Sequence, residues 1–227
     1  AFVSAVTHEL RTPLTTFQMY SEMLAENMVG DEPRRTAYLK TLESESQRLS
    51  HLVENVLAYA RLERNRPLGH IGNIPLGEML DRVIERLDQR ARQAGMELRL
   101  EQRADSAGRL VRADPDAVGQ ILFNLIDNAC KYASRAAQKT IHLEAGIDGR
   151  NAVIMVSDHG PGVSAGDQRR LFQPFTKSAR EAAASAPGVG LGLALSKRLA
   201  RQMGGDLLYI NRAGDGACFA LILLAAN

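Results

Sequence analysis

The feature that most constrains this chain is a change of period part-way along it. Over the first sixty or so residues apolar positions recur at helical spacing, and beyond Pro75 helical and strand spacings alternate. Leu42, Leu49 and Val56 repeat every seven residues, and Leu52, Val53 and Leu57 widen that stripe. Phe2, Val6, Leu10 and Phe17 form a second apolar flank. The spacing predicts two helices, about Ala1 to Met28 and Arg35 to Glu63, joined by a polar loop at Val29–Pro33. Such a hairpin cannot hide both stripes by itself, so pairing with a second copy into a four-helix bundle is expected, making the chain a homodimer.

Between Asn65 and Ile74 the pattern dissolves into Pro67, Gly69, Gly72 and Pro75. We therefore divide the chain into a helical hairpin over residues 1–66, a linker over 67–73 and a second domain over 74–227. Helices are expected at Leu76–Ala94, Asp116–Tyr132 and Leu191–Met203. Strands are expected at Met96–Gln102, Arg109–Ala113, Lys139–Ile147, Ala152–Asp158, Leu207–Asn211 and Ala217–Leu224. Helices with mostly antiparallel strands make an α+β domain, a two-layer α/β sandwich.

Charge narrows the class of partner. Lys and Arg number 28 against 26 Asp and Glu, a net charge of +2, which argues for neither nucleic acid nor an anionic membrane surface. Cys130 and Cys218 lack metal-ligand spacing and read as small core residues in a reducing compartment. The longest apolar run, Cys218–Ala226, is nine residues, short of the ~20 of a membrane helix. A soluble, cytoplasmic fragment without membrane contact is expected. Because the chain opens inside an amphipathic helix, we expect it to be the cytoplasmic end of a longer sensor.

Chemistry enters at His8-Glu9-Leu10-Arg11-Thr12-Pro13. His8 and Thr12 are one turn apart and share a helix face. Pro13 removes the hydrogen bond to the carbonyl of Glu9, which should bend the helix beside His8. Glu9 would hold one imidazole nitrogen and leave the other its lone pair for attack. A zincin-type site fails, since Thr12 stands where a second histidine is needed.

Three further segments suit a phosphorylated ligand. Asn124 and Asn128 lie one turn apart, with Lys131 next on that face. An amide oxygen suits Mg²⁺, which fills the rest of its shell with phosphate and water, and the lysine suits a phosphate. Asp158 ends a strand and precedes Gly160 and Gly162, which let a ligand approach the backbone. Gly188, Gly190 and Gly192 open a helix, where free amides form a phosphate site, in neither the P-loop nor the dinucleotide pattern.

Taken together and in this order, these blocks resemble those of the sensor histidine kinases of two-component systems, from Phe2 to about Leu224. The resemblance implies a dimerisation and phosphoacceptor domain, followed by an ATP-binding domain of the gyrase, heat-shock chaperone and histidine kinase superfamily. It implies His8 as the phosphorylated nucleophile, Glu9 as its proton acceptor and Thr12 as the residue positioning water for dephosphorylation of a regulator. Asn128 would coordinate Mg²⁺ with support from Asn124. Lys131 would contact ATP phosphate, Tyr132 would pack on the nucleotide, and Asp158 would read adenine. Leu171–Phe175 resembles the family's phenylalanine box, with Phe172 and Phe175, and Thr176–Pro187 its lid. ATP and Mg²⁺ are the implied cofactors, and a response-regulator receiver domain the implied partner. Cys218 departs from the Thr or Ser that often precedes the phenylalanine of the closing strand, Phe219 here. Two other readings share these residues. One is a non-catalytic ATP-binding dimeric partner of other kinases. The other is a gyrase- or chaperone-type ATPase, which needs a catalytic glutamate where this helix offers Gln120 and Asn124.

Overall fold

The computed structural model describes residues 2–63, 69–176, 190–211 and 216–226. The chain divides into two compact units. The first is built on the two N-terminal helices, with the short described stretches at Phe175–Thr176 and Gly190–Leu191, and the second on the rest.

In the first unit α1 spans Phe2–Ala25 and α2 spans Glu32–Glu63. Helix α2 starts three residues before the expected Arg35. Pro33 in its first turn has no N–H to leave unpaired, and the Asp31 carboxylate accepts from the Arg34 N–H at 2.7 Å. Helix α1 stops at Ala25 rather than Met28, and Asn27 adopts φ 51°, a left-handed conformation that asparagine tolerates. It runs through Pro13, whose side chain is buried. Tyr20 and Tyr38 join the two helices with ring centroids 4.5 Å apart. Leu42, Leu49, Leu52 and Val56 are half-covered, whereas Leu14, Leu39, Val53 and Leu57 are exposed.

The second unit is a seven-stranded mixed sheet layered against helices. Its strands are β1 (Gly72–Pro75), β2 (Glu97–Gln102), β3 (Leu110–Ala113), β4 (Thr140–Asp148), β5 (Asn151–Ser157), β6 (Asp206–Ile210) and β7 (Cys218–Ala225). They run in the order β1-β3-β7-β5-β4-β2, with β6 also paired to β7. Only β2 and β4 pair in parallel among the described strands. Helices α3 (Leu76–Gln93), α4 (Pro115–Tyr132) and α6 (Gly192–Gln202) make the second layer, and the short α5 (Ala165–Gln168) follows β5. The alternation of β4, β5 and β7 puts Ile141, Leu143, Ile154, Val156, Leu221 and Leu223 into the core with Met79, Leu80, Leu122 and Leu195 of the helices.

Strand β1 is where the sequence reading falls short. Gly72 and Asn73, assigned above to a linker, pair with Ala113 and Arg112 of β3. Four residues containing a glycine and a proline carry no usable period, and the strand exists because β3 offers it an edge. The rest of the linker's start, residues 67 and 68, lies outside the described residues.

Candidate functional site

Helix α4 is capped by Asp114, whose carboxylate accepts from the N–H groups of Asp116 and Ala117, with Pro115 at the first position. Ile121, Leu122, Leu125 and Ile126 bury its apolar face and so fix which way its polar residues point. Asn124 is buried, and its amide donates to Ser196 Oγ at 3.1 Å and to the Gly192 carbonyl at 3.4 Å. That bond ties α4 to the first turn of α6. Asn128, one turn on, is half-buried, and its amide makes no hydrogen bond among the described residues. It remains free for a ligand.

Asp127 beside it is committed. Arg90 Nη2 of α3 lies 2.8 Å from its carboxylate and Lys131 Nζ 2.5 Å. Burial alone would raise this carboxyl, but the two cations together hold it below the ordinary 3.8. Lys131 is thus held against Asp127. Tyr132, at the end of α4, is 39% exposed.

The Asp158 loop packs against this end of α4. Asp158 Oδ1 accepts from Gly160 N–H at 2.8 Å and Ala217 N–H at 3.3 Å, and Asp158 N–H donates to the Ala217 carbonyl at 3.0 Å. Its Oδ2 has no partner among the described residues. Burial pushes the Asp158 carboxyl above its ordinary 3.8, against the pull of the two amides and of His159. A side chain at Gly160 would come within 2.9 Å of Asp158 Oδ1 and 3.1 Å of Ala133 Cβ. One at Gly216, whose φ is 78°, would run into the Asp158 carbonyl. Gly162, at φ 65°, turns the chain under Gly216, and Tyr209 Oη accepts from Val163 N–H at 3.3 Å. The result is a half-satisfied buried carboxylate in a cradle of glycines.

At the start of α6, Gly192 lies against Asn124, and a Cβ there would sit 3.6 Å from its amide. Phe172 stacks edge-on to Phe219 with centroids 6.5 Å apart, and Lys197 Nζ lies 4.5 Å over its ring. In the first unit Phe175, at φ 62°, donates its N–H to the Gly190 carbonyl at 2.9 Å and meets Tyr59 edge-on. A Cβ at Gly190, whose φ is 69°, would fall 2.6 Å from the Thr176 carbonyl. Gly188 and nearly all of the lid, residues 177–187, lie outside the described residues. His8 and Glu9 are on α1, with side chains outside the description, and Thr12 is exposed one turn below.

Residues 1–65 match the model of the His Kinase A phosphoacceptor domain, and residues 113–227 that of the histidine kinase-, DNA gyrase B- and HSP90-like ATPases. The chain belongs to the sensor histidine kinases. The circadian input-output histidine kinase CikA of Synechococcus elongatus is 30% identical over 97% of the chain and 29% of its own length. Sensor histidine kinase MtrB of Mycobacterium tuberculosis is 29% identical over 98% and 38%. The solved structure of Acinetobacter baumannii histidine kinase AdeS superimposes with a TM-score of 0.69 at 26% identity, covering 97% of this chain and 98% of that one. Full-length ShkA, solved in complex with AMPPNP, gives 0.63 at 29% identity over 98% of this chain and 46% of that one. This histidine kinase chain spans between 24% and 42% of the length of the first curated relatives.

In the histidine kinase fold, local spacing had pointed to Asn124, Asn128, Asp158, Gly160, Gly162 and Gly192. It gave no sign of Gly216, Ala217 or Tyr209. Those three close the Asp158 loop from the far side of the sequence, and the single trace of their role is a glycine just before a strand. At the Cys218 departure, the group that reaches Asp158 is the Ala217 backbone.

Proposed function

We propose that this chain transfers the γ-phosphoryl group of ATP to His8 and passes it on to an aspartate of a response-regulator receiver domain. The observation that carries the reading is a phosphoacceptor-type hairpin and an ATPase-type domain in one polypeptide. Asp158, as a carboxylate, accepts from the adenine amino group through its unpartnered oxygen. Asn128 fits Mg²⁺ because its amide is uncommitted, while Asn124 holds α4 and α6 in place. Mg²⁺, when bound, neutralises phosphate charge. The amides around Gly188, Gly190 and Gly192 line the phosphates. Lys131 leaves Asp127 to meet them, and Tyr132, Phe172 and Phe175 pack around the nucleotide.

The His8 imidazole attacks the γ-phosphorus in line. A nitrogen–phosphorus bond forms, the bond to the bridging oxygen breaks, ADP departs, and Glu9 accepts or orients the ring proton. Thr12 positions the water that dephosphorylates the regulator. The working unit is a homodimer through the hairpin, in the cytoplasm, as part of a longer sensor.

The test is incubation of the purified chain, and of His8→Gln, with γ-labelled ATP and Mg²⁺. Acid-labile, base-stable label on the wild type alone is expected. ATP binding without label would favour a non-catalytic partner, and steady hydrolysis without a phosphoprotein a gyrase-type ATPase.

A further inference from the structure

On the sheet face away from the helices, His142 of β4 and His159 of the loop after β5 bring their Nε2 atoms to 3.3 Å, with the rings nearly perpendicular at 77°. The pair is built by register: His142 sits opposite Ser157, and the chain turns back two residues later. Both side chains are half-buried. A tetrahedral ion with metal–nitrogen bonds of about 2.0–2.1 Å holds two ring nitrogens about 3.3–3.4 Å apart. We propose that His142 and His159 form a two-histidine site for Zn²⁺, completed by water.

The surroundings favour a cation. Glu97 of β2 is near enough to His142 for mutual electrostatic influence, Glu144 shares the β4 face, and Asp158 adjoins His159. Arg99, opposite His142 in the β2–β4 register, is occupied by Glu97 at 3.0 Å. No third His, Cys, Asp or Glu completes a cluster among the described residues, so the site is open and exchangeable. Occupancy requires both rings neutral. His159 directly follows Asp158, so a metal that staples His159 to β4 fixes the Asp158–Gly160 turn. Zinc and adenine then alter each other's affinity by one common factor. This coupling rests on the adenine reading above; zinc binding does not.

The experiment titrates Zn²⁺ alone into the full chain against a chromophoric chelator, with histidine side-chain NMR on the same samples. Coordination shifts at both rings are expected in the wild type, and at least roughly tenfold weaker binding in His142→Ala and in His159→Ala. Wild-type rings that do not respond to zinc, or equal affinity in both folded variants, would overturn the site and leave a simple N–H···N bond. A second titration uses adenosine, which lacks phosphates to chelate the metal. A shifted adenosine affinity with zinc supports the coupling, and an unchanged one removes the coupling alone.

Discussion

At Asp158 stability and function pull apart. Burial raises the folded carboxyl above its ordinary 3.8, so charging it costs the fold free energy. Whatever stability this raised value contributes is present below 3.8 and is lost as pH climbs through the folded value. In the proposed function the charged form is the one that accepts from adenine, so the cost of charging it serves binding. Asp158→Asn should leave the melting temperature unchanged or higher while weakening a fluorescent ATP analogue about tenfold or more, the cost of about one hydrogen bond to a charged acceptor. Wild-type nucleotide affinity should fall on acidification, with a midpoint above 3.8. An Asn variant that binds normally would remove Asp158 from the site. Asp127 has the opposite sign, because Lys131 and Arg90 hold it low despite burial. Its contribution is complete above the unfolded value and is lost as pH falls through the folded one, below 3.8. Asp127→Ala should cost about 2 kcal/mol at pH 7 in urea unfolding, and nearly nothing once both states are protonated.

Helix α4 explains why some elements could be read in advance and others could not. Its apolar period runs over four turns, its cap is Asp114 before Pro115, and the two asparagines fall on the face left over, so both the helix and the candidate site residues follow from local spacing. Strand β1 and the Gly216–Ala217 approach have no such local cause. Ala217 reaches Asp158 across 59 positions, and β1 depends on β3. Register across a sheet is a property of the assembled chain, and a turn glycine looks alike wherever it falls. Asn124 joins both kinds of information, since its position is local and its partners, Gly192 and Ser196, are 68 and 72 residues away. Asn124→Ala would orphan a buried hydroxyl and loosen α6 from α4. The expected result is a loss of about 1–3 kcal/mol by thermal denaturation, together with weaker nucleotide binding, since the glycine turn loses its anchor. Full stability with weakened binding would instead make Asn124 a direct ligand.

At the scale of the whole molecule, the hairpin's stripe is divided. Leu42, Leu49, Leu52 and Val56 are half-covered, while Leu14 is 59% exposed and Val53 and Leu57 are 44% and 52%. Side chains of that size left exposed on a two-helix unit call for a second copy. Leu57→Glu should turn a dimer into a monomer in analytical ultracentrifugation at micromolar concentration, and an unchanged sedimentation coefficient would rule out this face as the interface. The two chemistries proposed for α1 make separate demands. The proposed kinase step draws on the His8 lone pair and ATP, whereas the proposed removal of phosphate from a regulator needs a water held near the same turn. Thr12 is exposed four residues after His8, and its hydroxyl can donate to or accept from such a water, while the proposed mechanism gives it no part in the attack of the imidazole. Thr12→Ala should therefore label with γ-labelled ATP at the wild-type rate and lose most of its phosphatase activity toward a phosphorylated receiver domain. Loss of both activities together would mean that the Thr12 side chain shapes the helix around His8; the Thr16 hydroxyl bond to the Thr12 carbonyl at 3.2 Å is unaffected by the substitution and is not the cause.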